Sequence, residues 1–195
     1  MALLAGELAD DASLSDEARA DIALLRQQIH VCKGIITGLS RRAGAERLEN
    51  SAVQPADHWL DGVRQHWHAT RPQATSQLIL RGEQPVPEIV ADPRLEQALL
   101  NLLNNAANAS SKKITLILAW TATNLSIEIR DHGPGFPPAV LEHGGERDFP
   151  VHDQGSGIGL MLTRSAIEQL GGQLTLSNPD DGGACARIDL IQMTK

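Results

Sequence analysis

The chain has 195 residues, of which 42% are hydrophobic and 3% aromatic, with a formal net charge of −7. That length allows one domain plus a smaller appended element. The acidic balance argues against a nucleic-acid partner, and the shortage of aromatic residues, with no tyrosine, argues against a stacking platform for single strands.

Residues 1–48 read as two helices with a short break. The first is apolar at Met1, Leu4 and Leu8 and ends near Asp10-Asp11-Ala12-Ser13. Ser15 then serves as an N-cap, with Asp16 and Glu17 in the first turn, where acids complement the helix dipole. The second helix carries Ile22, Leu25, Ile29, Cys32, Ile36 and Leu39, in alternating steps of three and four. This is a heptad seam. A lone hairpin buries one apolar stripe poorly, whereas two hairpins form a four-helix bundle, so the segment predicts a homodimer.

A polar stretch from about Arg41 to Gln54 reads as a linker. After it, a helix is expected over Ala56–Ala69, with Trp59, Leu60, Val63 and Trp67 on one face. Strands follow at Thr75–Leu80 and Glu88–Val90. Asp92-Pro93 starts the next helix as N-cap and first-turn proline, and its apolar face is Leu95, Leu99, Leu102, Leu103 and Ala106. Strands at Lys113–Trp120 and Asn124–Arg130 come next. Residues 131–157 are rich in Gly, Pro and polar residues and too long for an ordinary connection, so they read as a functional lid. A helix over Gly159–Leu170, ended by Gly171-Gly172, leads to strands near Gln173–Ser177 and Ala184–Ile191. The division is therefore a partial helical hairpin at 1–48 and an α/β domain at 49–195.

No run approaches the ~18 apolar residues of a membrane helix. The opening Met1-Ala2-Leu3-Leu4-Ala5-Gly6-Glu7 lacks the basic flank of a signal peptide. Cys32 and Cys185 have no metal-ligand spacing. A cytoplasmic, reducing setting is expected.

Three motifs carry chemistry. Asn101 and Asn105 are four apart and share one helix face. Their amide oxygens are hard, neutral ligands suited to Mg2+. Asn108 lies on the same side a turn further on, within reach of a phosphate, while Asn104 points elsewhere. Asp131 ends an alternating strand, where its carboxylate can accept a hydrogen bond from the exocyclic amine of adenine. Guanine offers an oxygen there and is repelled. Gly133 and Gly135 let the backbone turn and approach the base. Gly155, Gly157 and Gly159 lead, with Leu160, into a helix whose N-terminal amides form an anion site. No Gly-Lys-Ser/Thr follows, so this is not a P-loop, and its position does not suit a dinucleotide fingerprint. Arg147 and Arg164 are candidates for neutralising phosphate charge, and Phe149 for anchoring the lid. His132, His143 and His152 do not have the spacing of a metal triad and read as surface residues.

These boxes resemble the catalytic, ATP-binding domain of sensor histidine kinases, whose wider fold is shared with gyrase-type ATPases, Hsp90 chaperones and mismatch-repair ATPases. Asn101 and Asn105 match the asparagine box, Asp131, Gly133 and Gly135 the first glycine box, and Gly155, Gly157 and Gly159 the second. The resemblance covers about residues 90–192 by motif and 1–48 by pattern. It implies a two-layer α/β sandwich preceded by a helical hairpin, with a mixed sheet backed by three helices, ATP and Mg2+ as ligands, and a mobile lid. It further implies transfer of the γ-phosphoryl to a histidine and relay to a response-regulator receiver domain. In hydrolytic relatives a glutamate that activates water stands where Asn101 stands here. Asparagine is no general base at neutral pH, which favours transfer to a separate nucleophile over rapid hydrolysis.

Residues 1–48 resemble the dimerisation hairpin of the same kinases, and Cys32 before Ile35-Ile36-Thr37-Gly38-Leu39 resembles the RegB/PrrB/RoxS redox-responsive group. That likeness implies redox control at Cys32, although a small apolar thiol also suits a helix seam. Within residues 1–48 no histidine is followed by an acid, and His30 sits midway along the second helix. The phosphoacceptor is therefore expected upstream of Met1, with any membrane attachment also in segments outside this chain. The intact protein is expected at the cytoplasmic side of a bacterial inner membrane. Gly183 is followed by Ala184 where the family often carries threonine, so an adenine-side hydroxyl is missing. Two other readings are an anti-sigma-type serine kinase and a non-catalytic module that uses nucleotide to organise a dimer. The first usually keeps the glutamate and leaves the hairpin unexplained.

Overall fold

The computed structural model describes residues 53–143 and 158–191. The expected hairpin with its heptad seam and Cys32 lies outside the described residues. So do Arg147, Phe149, His152, Gly155 and Gly157.

The described chain begins with β1 (Val53–Pro55) and α1 (Ala56–Thr70). β2 (Ser76–Arg81), β3 (Glu88–Val90) and α2 (Pro93–Ala109) follow, then β4 (Ile114–Trp120) and β5 (Asn124–Arg130). α3 (Pro138–His143), α4 (Ile158–Gln169), β6 (Gln173–Ser177) and β7 (Cys185–Ile191) complete it. Five strands form a mixed sheet in the order β2-β4-β5-β7-β6. β2 and β4 are parallel, and the remaining neighbours are antiparallel. Parallel neighbours need a long crossover, and α2 lies within that connection. β1 and β3 form a separate antiparallel pair.

Register explains the layering. Leu118, Ile127 and Ile188 pair across β4, β5 and β7, as do Leu116, Ile129 and Ala186. All six are buried in one cluster with Leu60 and Trp67 of α1, Leu99 and Leu103 of α2, and Ile167 of α4. The alternate positions, Thr115, Ile117, Glu128, Arg130, Cys185, Arg187 and Asp189, fall on the opposite face, because successive side chains in a strand point to opposite sides. Three helices thus cover one side of the sheet. This is the expected two-layer α/β sandwich.

The face away from the helices is stitched by charge. Glu128 accepts from Arg130 at 2.9 Å and from Arg187 at 3.3 Å, and Arg187 also reaches Asp189 at 2.8 Å. Hydrogen bonding to Arg187 holds the Asp189 carboxyl below its ordinary value. Cys185 is buried within this row. Burial, followed by the nearby Glu128 charge, pushes its thiol up, so it stays protonated and lacks the nucleophilic thiolate form.

α2 is built as expected. Asp92 accepts the Arg94 backbone N–H at 2.8 Å as N-cap, and Pro93 occupies the first turn. Such a cap satisfies one of the orphan donors at a helix start. The buried set contains Leu95, Leu99, Leu102, Leu103 and Ala106, with Ala98 added. α1 ends one residue beyond the expected boundary, with Trp59, Leu60, Val63 and Trp67 buried. Trp67 Nε1 donates to Asn104 Oδ1 at 3.2 Å. That bond explains why Asn104 does not join the other asparagines.

Two expectations need correction. Val53 and Gln54, read as the end of a linker, form a strand with Pro55, because they find a pairing partner in β3 far along the chain. Pro138–His143, read as part of one continuous lid, is a short helix. Pro137 supplies the carbonyl that accepts from Val140 and Leu141, and proline at a first helical position loses no needed donor. Among the described residues no helix is long and apolar enough to cross a membrane.

Candidate functional site

Asp131 follows the last residue of β5 and is 8% exposed. Its Oδ1 accepts the Gly133 N–H at 2.7 Å and the Ala184 N–H at 3.2 Å. Its own N–H donates to the Ala184 carbonyl at 3.0 Å. Main chain thus fixes one carboxylate oxygen from two directions, and Oδ2 has no protein partner among the described residues. Buried polar atoms are rarely left so. The arrangement offers a hydrogen-bond acceptor to a ligand.

Backbone proximity makes this cradle possible. A Cβ on Gly183 would lie 2.1 Å from the Asp131 carbonyl oxygen, and Gly183 has a φ of +81°. A Cβ on Gly133 would meet the Ala109 carbonyl at 2.7 Å, so this glycine lets the loop lie against the end of α2. Gly135 has a φ of +87°, in the left-handed region that glycine enters without steric cost. Asn178, just after β6, clasps the same loop: it accepts from the Phe136 N–H at 2.7 Å and donates to the Phe136 carbonyl at 2.9 Å. Sequence reading missed Asn178 and the amide of Ala184. The local signals were the glycine pair Gly182-Gly183, which marks a turn without naming its partner, and Ala184, noted there only for the hydroxyl it lacks.

Asn101, Asn105 and Asn108 lie within about 60° of one another around α2 at 3.6 residues per turn. Asn101 is half-buried, and Asn105 and Asn108 are exposed. Asn101 Oδ1 accepts from Gln97 Nε2 at 3.3 Å, a long contact. The Asn105 side chain has no hydrogen-bond partner among the described residues. Asn108 Oδ1 accepts from Arg71 Nη2 at 2.9 Å. The structure therefore aligns the three asparagines along one helix flank, and Ala109 at the end of that helix abuts the Asp131 loop.

Gly159 and Leu160 fall in the first turn of α4. A Cβ on Gly159 would meet nothing within 4 Å among the described residues, so no packing described there requires glycine. Its carbonyl accepts from Thr163 Oγ1 at 2.8 Å. Leu160 packs against the core cluster. Arg164 is half-buried on the same helix, and His132 and His143 are exposed, as expected. Among the described residues no group of three or more His, Cys, Asp or Glu side chains could hold a metal ion. The asparagine flank itself offers neutral amide oxygens.

Comparison with known proteins bears on the family and the fold. The profile of the family "Histidine kinase-, DNA gyrase B-, and HSP90-like ATPase" matches residues 91–194. Sensor histidine kinase RegB of Cereibacter sphaeroides is 25% identical over 92% of this chain and 41% of its own length. The C4-dicarboxylate transport sensor protein DctB of Pseudomonas aeruginosa is 31% identical over 93% of this chain and 31% of its own. The chain thus spans less than half the length of these curated relatives. Among solved structures, the mycobacterial sensor histidine kinase MprB superposes with a TM-score of 0.60 at 23% identity, over 72% of this chain and 97% of that one. The catalytic domain of histidine kinase ThkA gives 0.61 at 21% identity, over 73% and 95%. These structures share the fold. With its matched segment covering more than half of the sequence, the chain belongs to the histidine kinase-, DNA gyrase B- and HSP90-like ATPase family.

Proposed function

We propose that this chain is the ATP-binding catalytic part of a two-component sensor histidine kinase. It binds Mg-ATP and transfers the γ-phosphoryl to a histidine of the intact protein, for relay to a response-regulator receiver domain. The observation that carries the reading is Asp131. One carboxylate oxygen is locked by two main-chain amides, and the other is left for a donor such as the adenine amine.

The asparagine flank fits a magnesium ion that arrives with its own anion. Amide oxygens are hard ligands, and Mg2+ usually takes few protein groups and completes its shell with phosphate and water. Asn105, with no described partner, is the leading ligand. Asn101 can join once its oxygen, which has two lone pairs, shares or drops the Gln97 contact. Bound Mg2+ supplies charge neutralisation at the β- and γ-phosphates. Asn108 is the further phosphate-reaching residue of the flank. Gly155, Gly157 and Gly159, with Leu160, are assigned to the lid side.

In the transfer, the bond between the γ-phosphorus and its bridging oxygen breaks and a nitrogen–phosphorus bond forms on the acceptor imidazole, with ADP as leaving group. Neither Asn101 nor Asn105 can take a proton at neutral pH. Their work is holding and orienting, and hydrolysis is expected to be slow. The overall activity, the homodimer through residues 1–48, the domain division near residue 48 and the placement at the cytoplasmic side of a bacterial inner membrane are all part of this proposal. The activity is supported by relatives such as RegB, named a sensor histidine kinase, and DctB, named a sensor protein.

Calorimetry on the parent, Asn105→Asp and Asp131→Asn tests the reading. Both variants should lose nucleotide affinity, and unchanged binding in both would overturn it. Radiolabelled ATP mixed with this chain and an added hairpin bearing an acceptor histidine should give acid-labile label on the hairpin. Absence of transfer despite tight binding would favour a non-catalytic nucleotide module.

The likeness to RegB favours a finer reading in which Cys32 is a redox switch. DctB is more similar by identity, so this part stands on Cys32 itself. An oxidant should produce a cross-linked dimer on non-reducing gels, lost in Cys32→Ser. No cross-link would remove the redox assignment and leave the kinase assignment intact.

A further inference from the structure

We propose that Arg71 is a positioning residue of the nucleotide site, which turns the Asn108 side-chain amide into a preset donor for the phosphate tail. The inference rests on the nucleotide reading above and extends it to a residue outside every sequence motif.

Arg71 is the C-cap of α1, and its backbone N–H is held by the carbonyls of Trp67 and His68. From there the guanidinium crosses to α2 and donates to Asn108 Oδ1 at 2.9 Å. A guanidinium carries only donors. It therefore dictates which end of the amide faces it: the oxygen turns toward Arg71 and the NH2 group turns away. Without such a partner an asparagine amide has a broad, roughly two-fold torsion and presents either end. Phosphate oxygens only accept, so the end that Arg71 exposes is the useful one.

Charge adds a second reason. The three aligned asparagines are neutral, and a triphosphate needs positive charge nearby. Arg71 has no carboxylate partner among the described residues, so its charge is not already neutralised. It also lines a cavity of about 370 Å³ with Lys112, Ser110 and Ser111. That cavity sits at the end of α2 where the helix carbonyls are left over. A cation there complements the helix dipole as well, which gives Arg71 a reason to stay in place before any nucleotide arrives.

Binding of ATP, ADP and AMP to the full chain, measured by calorimetry or by NMR titration where weak, tests this. Arg71→Ala should lower ATP affinity about three- to tenfold, lower ADP affinity as well, and leave AMP within about twofold. Arg71→Lys keeps a charged donor and should recover most of the loss. Asn108→Asp separates orientation from mere tethering. It keeps a partner for Arg71, and hence the parent's thermal stability, but shows a carboxylate oxygen to the phosphates. ATP affinity should then fall at least tenfold. Arg71→Ala and Asn108→Ala together should cost no more than the larger single change, as expected for one coupled unit.

Equal losses for ATP and AMP in Arg71→Ala, or ATP binding by Asn108→Asp at the parent's level, would overturn the inference. Asp131→Asn and Asn105→Asp, measured alongside, keep the two claims apart. If those variants lose ATP while Arg71→Ala does not, only the role of Arg71 fails. If none of them loses ATP, the nucleotide reading itself fails.

Discussion

The two ends of the candidate site are built on opposite plans. At the base end, Asp131 is buried and its fixed oxygen is held by main-chain amides. Gly183 and Gly133 approach so closely that a Cβ would overlap backbone atoms. The one exposed side chain described there, Asn178, clasps the Phe136 main chain and leaves the Asp131 carboxylate to the backbone. At the phosphate end, α2 offers one half-buried and two exposed asparagines held by one long contact from Gln97, one bond from Arg71, and nothing described for Asn105. A flat, neutral base is told from its competitors only by a surface already in place. A magnesium-bound triphosphate brings charge enough to organise side chains as it binds. The base end is thus made by the fold, and the phosphate end is finished by its ligand.

The largest effect should come from breaking the base end in its backbone. Gly183→Ala places a Cβ 2.1 Å from the Asp131 carbonyl oxygen at a φ of +81°. The left-handed conformation alone costs about 1–3 kcal/mol for an ordinary residue, and relief of the overlap must pull β5 from the start of β7. Thermal unfolding should shift down by several degrees, and ATP binding should vanish with it. The matched change at the other end, Asn105→Ala, removes an exposed side chain with no described partner. Unfolding should stay near that of the parent, while Mg-ATP affinity falls about tenfold and its dependence on Mg2+ flattens. Equal stability losses in the two variants would dissolve the contrast.

Next in size is a change that keeps the cradle and alters only what it shows. Asp131→Asn retains an oxygen for the amides of Gly133 and Ala184 but can present NH2 to the base. Losing a charge-assisted bond of this kind costs about 1.5–3 kcal/mol, or roughly 10- to 100-fold in ATP affinity. The same NH2 can donate to the guanine oxygen, so GTP should gain relative to ATP. A competition titration with both nucleotides reads the ratio directly. An unchanged ratio would mean that Asp131 does not face the base.

The contrast between the ends also explains what could be read from sequence. Asn101 and Asn105 were legible because helical period alone puts them on one flank. Asp131 was legible because an alternating strand runs out at that residue. The five main strands and three main helices followed from the same periodicities, within a residue or so at each boundary. The partners were not legible. Asn178 reaches Phe136 across 42 residues, the Ala184 amide reaches Asp131 across 53, and Arg71 reaches Asn108 across 37. Such bonds depend on where the sheet and helices bring distant loops together, which local spacing does not encode. The strand at Val53–Pro55 escaped for the same cause, since its partner among the described residues is the distant β3.

Acid should act on the helix that carries the asparagines. Burial of Asp92 opposes its charge, but the side-chain and backbone bonds from Arg94 outweigh this and hold its carboxyl below the ordinary value of 3.8. Asp61 and Asp189 are lowered too, chiefly by Arg64 and Arg187. A carboxyl with a lower pKa in the folded state binds fewer protons there than in the unfolded chain. Its stabilisation is complete above the unfolded value and is lost as pH falls through the folded one. Urea midpoints should therefore be flat in these groups from pH 7 to about 5 and decline below about pH 4. Asp92→Asn should shrink that decline, at a plateau cost of no more than about 1 kcal/mol, because asparagine also caps helices. A steep loss already at pH 6 would point to other groups.

A small gain in stability is the most informative change about the lid side. A Cβ at Gly159 meets no atom within 4 Å among the described residues, and the position lies in the first turn of α4, where alanine is the better helix former. Gly159→Ala should raise stability by up to about 1 kcal/mol, seen as a slightly higher urea midpoint. Packing among the described residues thus gives no reason for glycine at this position, and a close-lying phosphate would. If the start of α4 receives the phosphates, the same substitution should weaken ATP binding several-fold while strengthening the fold. Opposite signs in the two measurements are difficult to obtain from a purely structural role. A more stable variant that binds ATP as tightly as the parent would take α4 out of the phosphate site and leave the asparagine flank, with Arg71 behind it, to hold the triphosphate.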